Sequence, residues 1–328
     1  MHSALSSSPS HEFALAAQLA GCPLDQTENF TRAGVILQPR QLAACAAACA
    51  AARLCDQPGG PTAVGFGGAR GGGKSHWLLA QLGADDCQRW PGLKCLLLRK
   101  VGKSNLENFE DLRRRLFLRL PHEFTPSRGL LTFANGSRII AGHFQCEKDI
   151  DAYLGLEYDI IGIEEATTLT SRKYHDIVTC CRSSKTAADG RPWRPRIYST
   201  TNPGGLGHAW YRSTYIFPFQ QGHETSTRFI PATIKDNCFT NPEYQNVLAN
   251  LTGWHRRAWR DGDWDIAADQ FFTTFRSEVH VRGDISNGRA TSRFAALDYG
   301  FTHYTVVLLG FTDSDGKTFV VDEHAQRN

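Results

Sequence analysis

The chain has 328 residues, of which 41% are hydrophobic and 21% are charged, as in an ordinary globular protein of one large or two medium domains. No run approaches the roughly 18 uninterrupted apolar residues of a membrane span, and the N-terminus lacks the basic stretch and apolar core of a secretory signal. These features predict a soluble protein without a membrane partner, and the net charge of +3 is too small to indicate nucleic-acid binding by itself.

Apolar strands alternate with helical segments over the first two thirds of the chain. Residues 1–30 are rich in Ser and Ala without a clear period, which indicates a weakly ordered lead-in. The helices expected after it are 40–54, 75–82, 105–120 and 171–182. The expected strands are 62–66, 93–98, 158–163 and 196–201, with a hairpin over 130–141. This alternation is typical of an α/β domain with a mainly parallel sheet flanked by helices.

The last third of the chain has a different pattern. Residues 242–260 have helical spacing and are rich in Trp and Arg, and three short strands follow at 294–299, 304–311 and 318–322. A turn at Asp315-Gly316 joins the last two strands, which indicates an antiparallel meander. The sequence therefore divides into a lead-in (1–30), an α/β domain (31–235), a helical linker (236–290) and the start of a second domain (291–328).

A glycine-rich segment, residues 68–75, stands between the first expected strand and a helix. Its sequence, GARGGGKS, fits the phosphate-loop pattern G-x-x-x-x-G-K-[ST]. Lys74 would reach the β- and γ-phosphates of a nucleotide, and the Ser75 hydroxyl would ligate Mg²⁺. The glycines that let backbone N–H groups face the phosphates are Gly68, Gly71, Gly72 and Gly73. The segment predicts a P-loop NTPase that uses ATP and Mg²⁺.

Polar side chains follow two other strands of the expected sheet. Glu164 and Glu165 come directly after the apolar strand 158–163, where adjacent carboxylates are costly unless a cation or solvent is near. In a phosphate-loop enzyme one carboxylate holds the Mg²⁺ water shell and a second orients the attacking water. We therefore predict Glu164 on the metal side and Glu165 as the catalytic base. Asn202 follows the strand 196–201 and is a candidate γ-phosphate sensor, although Asn-Pro-Gly-Gly is also an ordinary turn.

These motifs, in this order, resemble the large terminase subunit, the motor that packages DNA into phage heads. The resemblance covers about residues 30–328. It implies that Gln41, in the segment 36–41, contacts the adenine base, and that Arg70 stabilises transition-state charge from within the phosphate loop. It also implies that the segment 199–203, with Asn202, couples hydrolysis to movement. Segments 241–244 and 262–264 resemble the part of the family that lies between ATPase and nuclease domains.

The resemblance further implies a nuclease. In this family the second domain has an RNase H-like fold, and the strand ending at Asp298 is similar to its first strand. Asp298 would be the first ligand of a further Mg²⁺ or Mn²⁺ site, and the remaining acids would lie beyond Asn328. We therefore expect no plasmid cleavage by residues 1–328.

The partners that the resemblance implies are double-stranded DNA, the portal protein, the small terminase subunit and further copies of the chain in a ring. The implied location is the cytoplasm of the bacterial host and, transiently, the capsid portal. The basic clusters around Arg113 and Arg256 are candidates for a DNA-gripping surface.

The sequence departs from the family pattern at two places in the ATPase domain. Glu164 stands where aspartate is more usual, and the neighbourhood 153–155 lacks the arginine that often acts on an adjacent subunit, so that Arg138 and Arg182 both stay open as replacements. Two alternatives to a packaging motor also stay open. One is a truncated prophage remnant that binds ATP without packaging, and the other is a P-loop enzyme of another kind, such as a helicase or a small-molecule kinase.

Overall fold

The chain forms two compact units, Met1–Asp269 and Gln270–Asn328. The structure is a computed structural model that describes residues 21–35, 39–71, 73–186, 190–232, 250–252, 255–266, 277–283, 290–299 and 304–327. Within these ranges, no helix is long and apolar enough to cross a membrane.

An eight-stranded sheet forms the centre of the first unit, in the order β3-β4-β5-β2-β6-β7-β1-β8. Its strands are β1 (Ala63–Gly68), β2 (Lys94–Arg99), β3 (His122–Thr125), β4 (Leu130–Phe133), β5 (Arg138–His143), β6 (Ile160–Ile163), β7 (Arg196–Thr201) and β8 (Thr227–Ala232). The six strands from β5 through β8 in sheet order run parallel, whereas β4 and β3 form an antiparallel edge.

Helices and short helical turns cover both faces of this sheet. The α-helices of the first unit are α1 (Leu24–Ala33), α2 (Pro39–Leu54), α3 (Lys74–Ala80), α4 (Cys87–Arg89), α5 (Gly102–Leu116), α6 (Ser171–Val178), α7 (His208–Tyr211) and α8 (Phe217–Gln220). Three π-helical turns lie at Gln81–Asp86, Arg212–Ile216 and Arg256–Arg260. Three 3₁₀ turns lie at Pro126–Arg128, Glu147–Tyr153 and Ala166–Thr168.

The central strands are apolar because both of their faces are covered. All residues of β1, β6 and β7 are buried, as expected for parallel strands between two helical layers. One core, which includes Trp77 and Phe117, lies on the side of α3 and α5. The other includes Tyr174 and Tyr211 and lies on the side of α6 and α7. The predicted α/β class with a mainly parallel sheet is confirmed.

Three elements differ from the sequence-based expectation. The patterns give no signal for β3, a short strand at the edge of the sheet, or for β8, whose Pro231 is tolerated because β8 is the opposite edge strand. The prediction that residues 1–30 form a weakly ordered lead-in is wrong at its C-terminal end. Residues Leu24–Ala33 form α1, which buries Gln26 and Phe30 against the first core. Residues 1–20 and most of the expected helix 242–260 lie outside the described residues.

Two consecutive acids, Asp85 and Asp86, are fully buried in the π turn that continues α3. Burial would make both carboxylates very costly without partners. Arg53 Nη2 lies 2.9 Å from Asp85 Oδ1, and Arg89 Nη2 lies 2.9 Å from Asp86 Oδ1. Burial nevertheless raises the pKa of Asp86 to about 6, and Arg89 and the buried Arg196 act against this rise. These ion pairs fix the position of the turn that extends the helix after the glycine-rich loop.

The second unit contains α9 (Ser277–His280) and an antiparallel sheet in the order β11-β10-β9. Its strands are β9 (Ala290–Asp298), β10 (Tyr304–Asp313) and β11 (Thr318–Arg327). The three predicted strands and their meander are therefore confirmed, with longer extents than the apolar runs indicated.

The packing of the π turn yields a test of the fold. A Cβ added at Gly83 would lie 2.1 Å from Cζ of the buried Phe117. We expect Gly83→Ala to lower the free energy of unfolding by about 1–3 kcal/mol, because the ring would have to move within a packed core. Urea denaturation measures this change. Gly283→Ala is the matched control, because nothing lies within 4 Å of its added Cβ. Equal effects of the two substitutions would contradict the described packing.

Candidate functional site

The glycine-rich loop leaves the carboxyl end of β1 and enters α3. Gly68, Gly71 and Gly73 have φ angles of 131°, 80° and 74°, which side chains with a Cβ rarely adopt. The glycines therefore allow the tight path of this loop, as the phosphate-loop pattern predicted. Gly72 lies outside the described residues.

Lys74 begins α3, and its Nζ donates a hydrogen bond to the backbone oxygen of Ala69 at 2.5 Å. Burial and the charge of Arg70 together lower the pKa of Lys74 to about 7, against the opposing charge of Glu165. An ammonium group in this position is stabilised by an anion. The loop therefore offers a cation at the place where the sequence predicts phosphates.

Glu164 lies directly beyond β6, and its side chain is only 3% exposed. Burial raises the pKa of Glu164, whereas a hydrogen bond from Ser75 and the charge of Arg99 lower it and Glu165 raises it. Ser75 and Glu164, the two residues predicted to lie on the metal side, are thus in direct contact. The fold brings them together from α3 and the end of β6.

Glu165 is 47% exposed and adopts φ 54° and ψ 48°. Among the described residues it is the only one other than glycine with a positive φ. This conformation costs about 1–2 kcal/mol for a residue with a Cβ. The left-handed backbone turns the chain sharply between β6 and the following 3₁₀ turn. Consecutive carboxylates therefore have different surroundings, one buried and one open.

Arg99, the last residue of β2, lies between these two acids and was missed by the sequence patterns. Its Nη1 is 3.2 Å from Glu164 Oε2, and its Nη2 is 3.2 Å from Glu165 Oε1. The second contact is a hydrogen bond, whereas the first has the distance of an ion pair without hydrogen-bond geometry. The signal that would have identified Arg99 is the adjacency of β2 and β6, which requires the strand order.

Asn202 lies at the same edge of the sheet, directly beyond β7. The loop after Glu165 is joined to this position, because the Thr167 hydroxyl contacts the Thr201 hydroxyl at 2.8 Å and donates to the Asn202 carbonyl at 3.2 Å. The Gly207 N–H also donates to the Thr167 carbonyl at 2.8 Å. The loops that follow β6 and β7 therefore form one hydrogen-bonded unit.

Two buried oxygens at this edge, Glu164 Oε2 and Asn202 Oδ1, accept no hydrogen bond from any described residue. Buried polar atoms are almost always paired, with protein groups, water or an ion. Carboxylate, amide and hydroxyl oxygens are the ligands and water acceptors that suit Mg²⁺. The residues present at this edge therefore fit Mg²⁺ bound together with a nucleotide.

The side chain of Arg70 is exposed, but it packs against an aromatic ring. Its guanidinium carbon lies 3.5 Å from the centre of the Trp259 ring, and its backbone N–H donates to the Trp259 carbonyl at 2.8 Å. Trp259 belongs to the π turn Arg256–Arg260. Gln41, the expected adenine contact, lies in α2, and the structure does not describe its side chain.

Asp298 ends β9 in the second unit, and its pairing does not bring a second acid next to it. Its neighbours across the sheet are Val306 on β10 and then Ala325 on β11. Glu323 lies on the same face, displaced by two residues along β11. No group of three potential metal ligands occurs within the described ranges. The predicted metal-binding role of Asp298 stays a prediction.

Solved structures of phage large terminases resemble this structure over most of its length. The large terminase of a thermophilic bacteriophage, in complex with ATP-γ-S, matches 88% of this chain with a TM-score of 0.53 and 14% identity, and the match covers 67% of that protein. The chain has the fold of the phage large terminases.

Two further structures give the same result. The ADP complex of the same thermophilic-phage terminase matches 88% of this chain and 67% of its own, with a TM-score of 0.52 and 15% identity. The HK97 bacteriophage large terminase matches 88% of this chain and 63% of its own, with a TM-score of 0.50 and 12% identity. The sequence matches no protein-family model and no curated protein. The terminase fold is therefore shared at low sequence identity, and the resemblance read from the motifs is confirmed at the level of the fold.

The surroundings of Glu164 predict a pH dependence. Arg99→Gln removes a positive charge that lowers the Glu164 pKa, so this pKa, already raised by burial, rises further. The charged carboxylate accepts hydrogen bonds from Mg²⁺-bound water more strongly than the neutral acid does. We therefore expect the loss of Mg²⁺-dependent ATP hydrolysis at acidic pH to begin at a higher pH in Arg99→Gln. The pH profile of kcat/KM measures this shift.

Arg128→Gln serves as the control, because Arg128 is exposed in the 3₁₀ turn between β3 and β4, at the antiparallel edge of the sheet. An acid limb that stays in place, or moves to lower pH, in Arg99→Gln would show that Arg99 does not control the charge of Glu164.

Proposed function

We propose that this chain is an ATP-hydrolysing motor subunit that moves double-stranded DNA into a viral capsid. The observation that carries the proposal is the meeting of Lys74, Ser75, Glu164 and Glu165 at one edge of a terminase-like sheet. The terminase of the thermophilic bacteriophage, which has the same fold, is described in complexes with ATP-γ-S and ADP. These complexes support nucleotide binding by the corresponding fold here.

The phosphate loop binds the nucleotide in this proposal. Backbone N–H groups of the segment 68–75 and the Lys74 ammonium hold the β- and γ-phosphates. Mg²⁺, when bound, neutralises phosphate charge and orients the γ-phosphoryl group for transfer. Ser75 ligates it, and Glu164 accepts hydrogen bonds from its water shell. The longer side chain of glutamate lets Glu164 fill the role more often given to aspartate.

Glu165 is the catalytic base of the proposed reaction. Its side chain is open to solvent, and it can accept a proton from the attacking water once the γ-phosphate is in place. In the structure the Glu165 carboxylate is bound by Arg99 at 3.2 Å. This contact engages Glu165 Oε1, so in the proposed reaction Oε2 accepts the proton, or Glu165 first separates from Arg99.

Asn202 transmits the state of the nucleotide in this proposal. Its backbone carbonyl accepts a hydrogen bond from Thr167 in the loop that follows Glu165, and the contact between the Thr167 and Thr201 hydroxyls joins the two loops. Loss of the γ-phosphate would shift Asn202 and the segment that leads into α7. The chain beyond α7 would then carry the movement to the DNA.

The proposed partners are double-stranded DNA, the portal protein, the small terminase subunit and further copies of the chain in a ring. The motor would work at the capsid portal, in the cytoplasm of the bacterial host. The domain boundaries at residues 235 and 290, and the nuclease role of the strands around Asp298, belong to the same proposal. Asp298 would bind a further Mg²⁺ or Mn²⁺ there.

Several arginines of the basic clusters suggested for DNA binding form ion pairs with acids. Arg113 donates two hydrogen bonds to Glu110, at 2.8 and 3.0 Å. Arg257 lies 2.6 Å from Asp263. Phosphate binding would require these arginines to leave their carboxylate partners. Arg115 and Arg256, from the same clusters, are exposed, and the clusters stay candidates for a DNA-gripping surface.

Steady-state ATP hydrolysis with and without duplex DNA tests the proposed function. We expect turnover that DNA stimulates, and a loss of about 100-fold or more in Lys74→Ala and in Glu165→Gln, because each removes a group that acts on the reacting phosphate or water. Glu165→Gln should still bind ATP-γ-S, since Glu165 is not needed to hold the phosphates.

Two substitutions serve as matched controls. Lys317 is exposed in the second unit, and Glu157 forms an exposed ion pair with Arg182. Lys317→Ala and Glu157→Gln should leave turnover unchanged. Full turnover in Lys74→Ala would refute the proposed site. ATP binding without turnover in the native chain would favour a remnant, or a motor that requires its ring and portal.

A further inference from the structure

Trp259 forms a platform beneath the guanidinium of Arg70. The guanidinium carbon lies 3.5 Å from the ring centre, a distance at which the planar cation stacks face to face on the indole. Arg70 belongs to the glycine-rich loop, four residues before Lys74, whereas Trp259 lies nearly 190 residues later in the chain. The contact therefore joins the loop to a segment that the ATP-site motifs do not include.

A guanidinium stacked on one face keeps its hydrogen-bond donors free. Its five N–H groups lie in the plane of the cation and point outward from its edge. Among the described residues, none accepts a hydrogen bond from the Arg70 side chain. The charge of Arg70 also reaches Lys74, which is close enough for Arg70 to lower its pKa. The free edge of Arg70 is thus near the cation that the phosphate loop presents.

The backbone holds the two partners at a fixed separation. The Arg70 N–H donates to the Trp259 carbonyl at 2.8 Å. Three residues beyond Trp259, Gly262 adopts φ 67°, and an added Cβ there would lie 2.8 Å from the backbone nitrogen of Ala69. Only glycine permits this close approach of the segment to the loop.

The same segment is anchored at its other end. The Trp264 ring stacks on the rings of Tyr211 and His208 at centroid distances of 5.4 Å each. Tyr211 is fully buried in the second core of the sheet. Trp259 is therefore presented by a segment that is fixed to the body of the first unit, and its ring is suited to restrict the rotamers of a long, exposed arginine.

We propose that Trp259 is a positioning residue for ATP hydrolysis, which holds Arg70 face-on so that its in-plane N–H groups are directed at the phosphates bound by the loop 68–75. This inference rests on the proposed function, because it concerns the same site. Arg70 touches the phosphate, and Trp259 acts only through Arg70. The platform orders Arg70 before the nucleotide binds, so that less side-chain entropy is lost when it engages the phosphate.

A double-mutant cycle between positions 70 and 259 tests the proposal. Trp259→Leu keeps an apolar side chain and the backbone carbonyl but removes the π face, and we expect it to lower kcat about fivefold to tenfold with a smaller change in KM. Trp259→Phe, which retains an aromatic face, should recover most of the activity. In an Arg70→Ala background, Trp259→Leu should cause no further loss.

A substitution of the same shape covers the case in which Trp259→Leu does not fold. Tetrafluorotryptophan introduced at position 259 alone keeps the size of the ring and weakens its attraction for a cation. It should lower kcat in the native chain and leave Arg70→Ala unchanged. Trp90→Leu is the matched control, because Trp90 is partly buried and packs against Trp193 outside this segment, and any effect it has should be the same with and without Arg70.

Binding of ATP-γ-S, measured by titration calorimetry across the same variants, separates this proposal from the proposed function. A native chain that binds ATP-γ-S without hydrolysing ATP fails the turnover test of the proposed function for the isolated chain, and the affinities then test the Arg70–Trp259 pair. Weaker binding in Trp259→Leu only when Arg70 is present supports the pair. The proposal is overturned if Trp259→Leu has the kcat and affinity of the native chain. It is also overturned if Trp259→Leu causes the same loss in the Arg70→Ala background as in the native chain. A native chain that binds no nucleotide overturns both.

Discussion

The parallel register of β2, β6, β7 and β1 is the constraint on which the candidate site depends. Leu98 pairs with Ile163, Ile163 with Ser199, and Gly67 with Thr201, so the carboxyl ends of these strands lie at the same edge of the sheet. Arg99 is the last residue of β2, Glu164 and Asn202 directly follow β6 and β7, and the phosphate loop begins at Gly68, the last residue of β1. A shift of one strand by one residue would separate the acids from the phosphate loop and turn core side chains to the wrong face.

The charges and burial at the carboxyl edge of the sheet then give its two adjacent acids different surroundings. Glu164 and Glu165 are neighbours in sequence, yet one is buried beside Ser75 and the other is open, because the backbone turns sharply at Glu165. Arg99 supplies the positive charge that lets both acids lie near each other. A buried carboxylate whose Oε2 accepts no hydrogen bond from a described residue suits a metal-side acid, and a solvent-exposed carboxylate suits a base that takes a proton from water. Two glutamates that are adjacent in sequence are therefore suited to different roles by their surroundings.

The sequence predicts those elements of the molecule that depend on interactions between residues close together in the chain. Hydrophobic runs bounded by glycine or acid identify β1, β2, β6 and β7, and the phosphate loop follows from its glycine spacing. Arg99 and Trp259 could not be found in this way, because their roles depend on contacts between residues far apart in sequence. The edge strands were missed for a related reason, since an edge strand need not be apolar on both faces. The helix α1 was missed because Phe30 and the buried Gln26 form a pattern too short to show a period.

A crystal structure of the chain with Mg²⁺ and ATP-γ-S would test the central claim most directly. The account predicts the phosphates within the loop 68–75, Mg²⁺ ligated by the Ser75 hydroxyl with Glu164 hydrogen-bonded to its water, and Glu165 facing the γ-phosphate. Nucleotide bound away from this edge, or Mg²⁺ bound without Ser75 and Glu164, would contradict it.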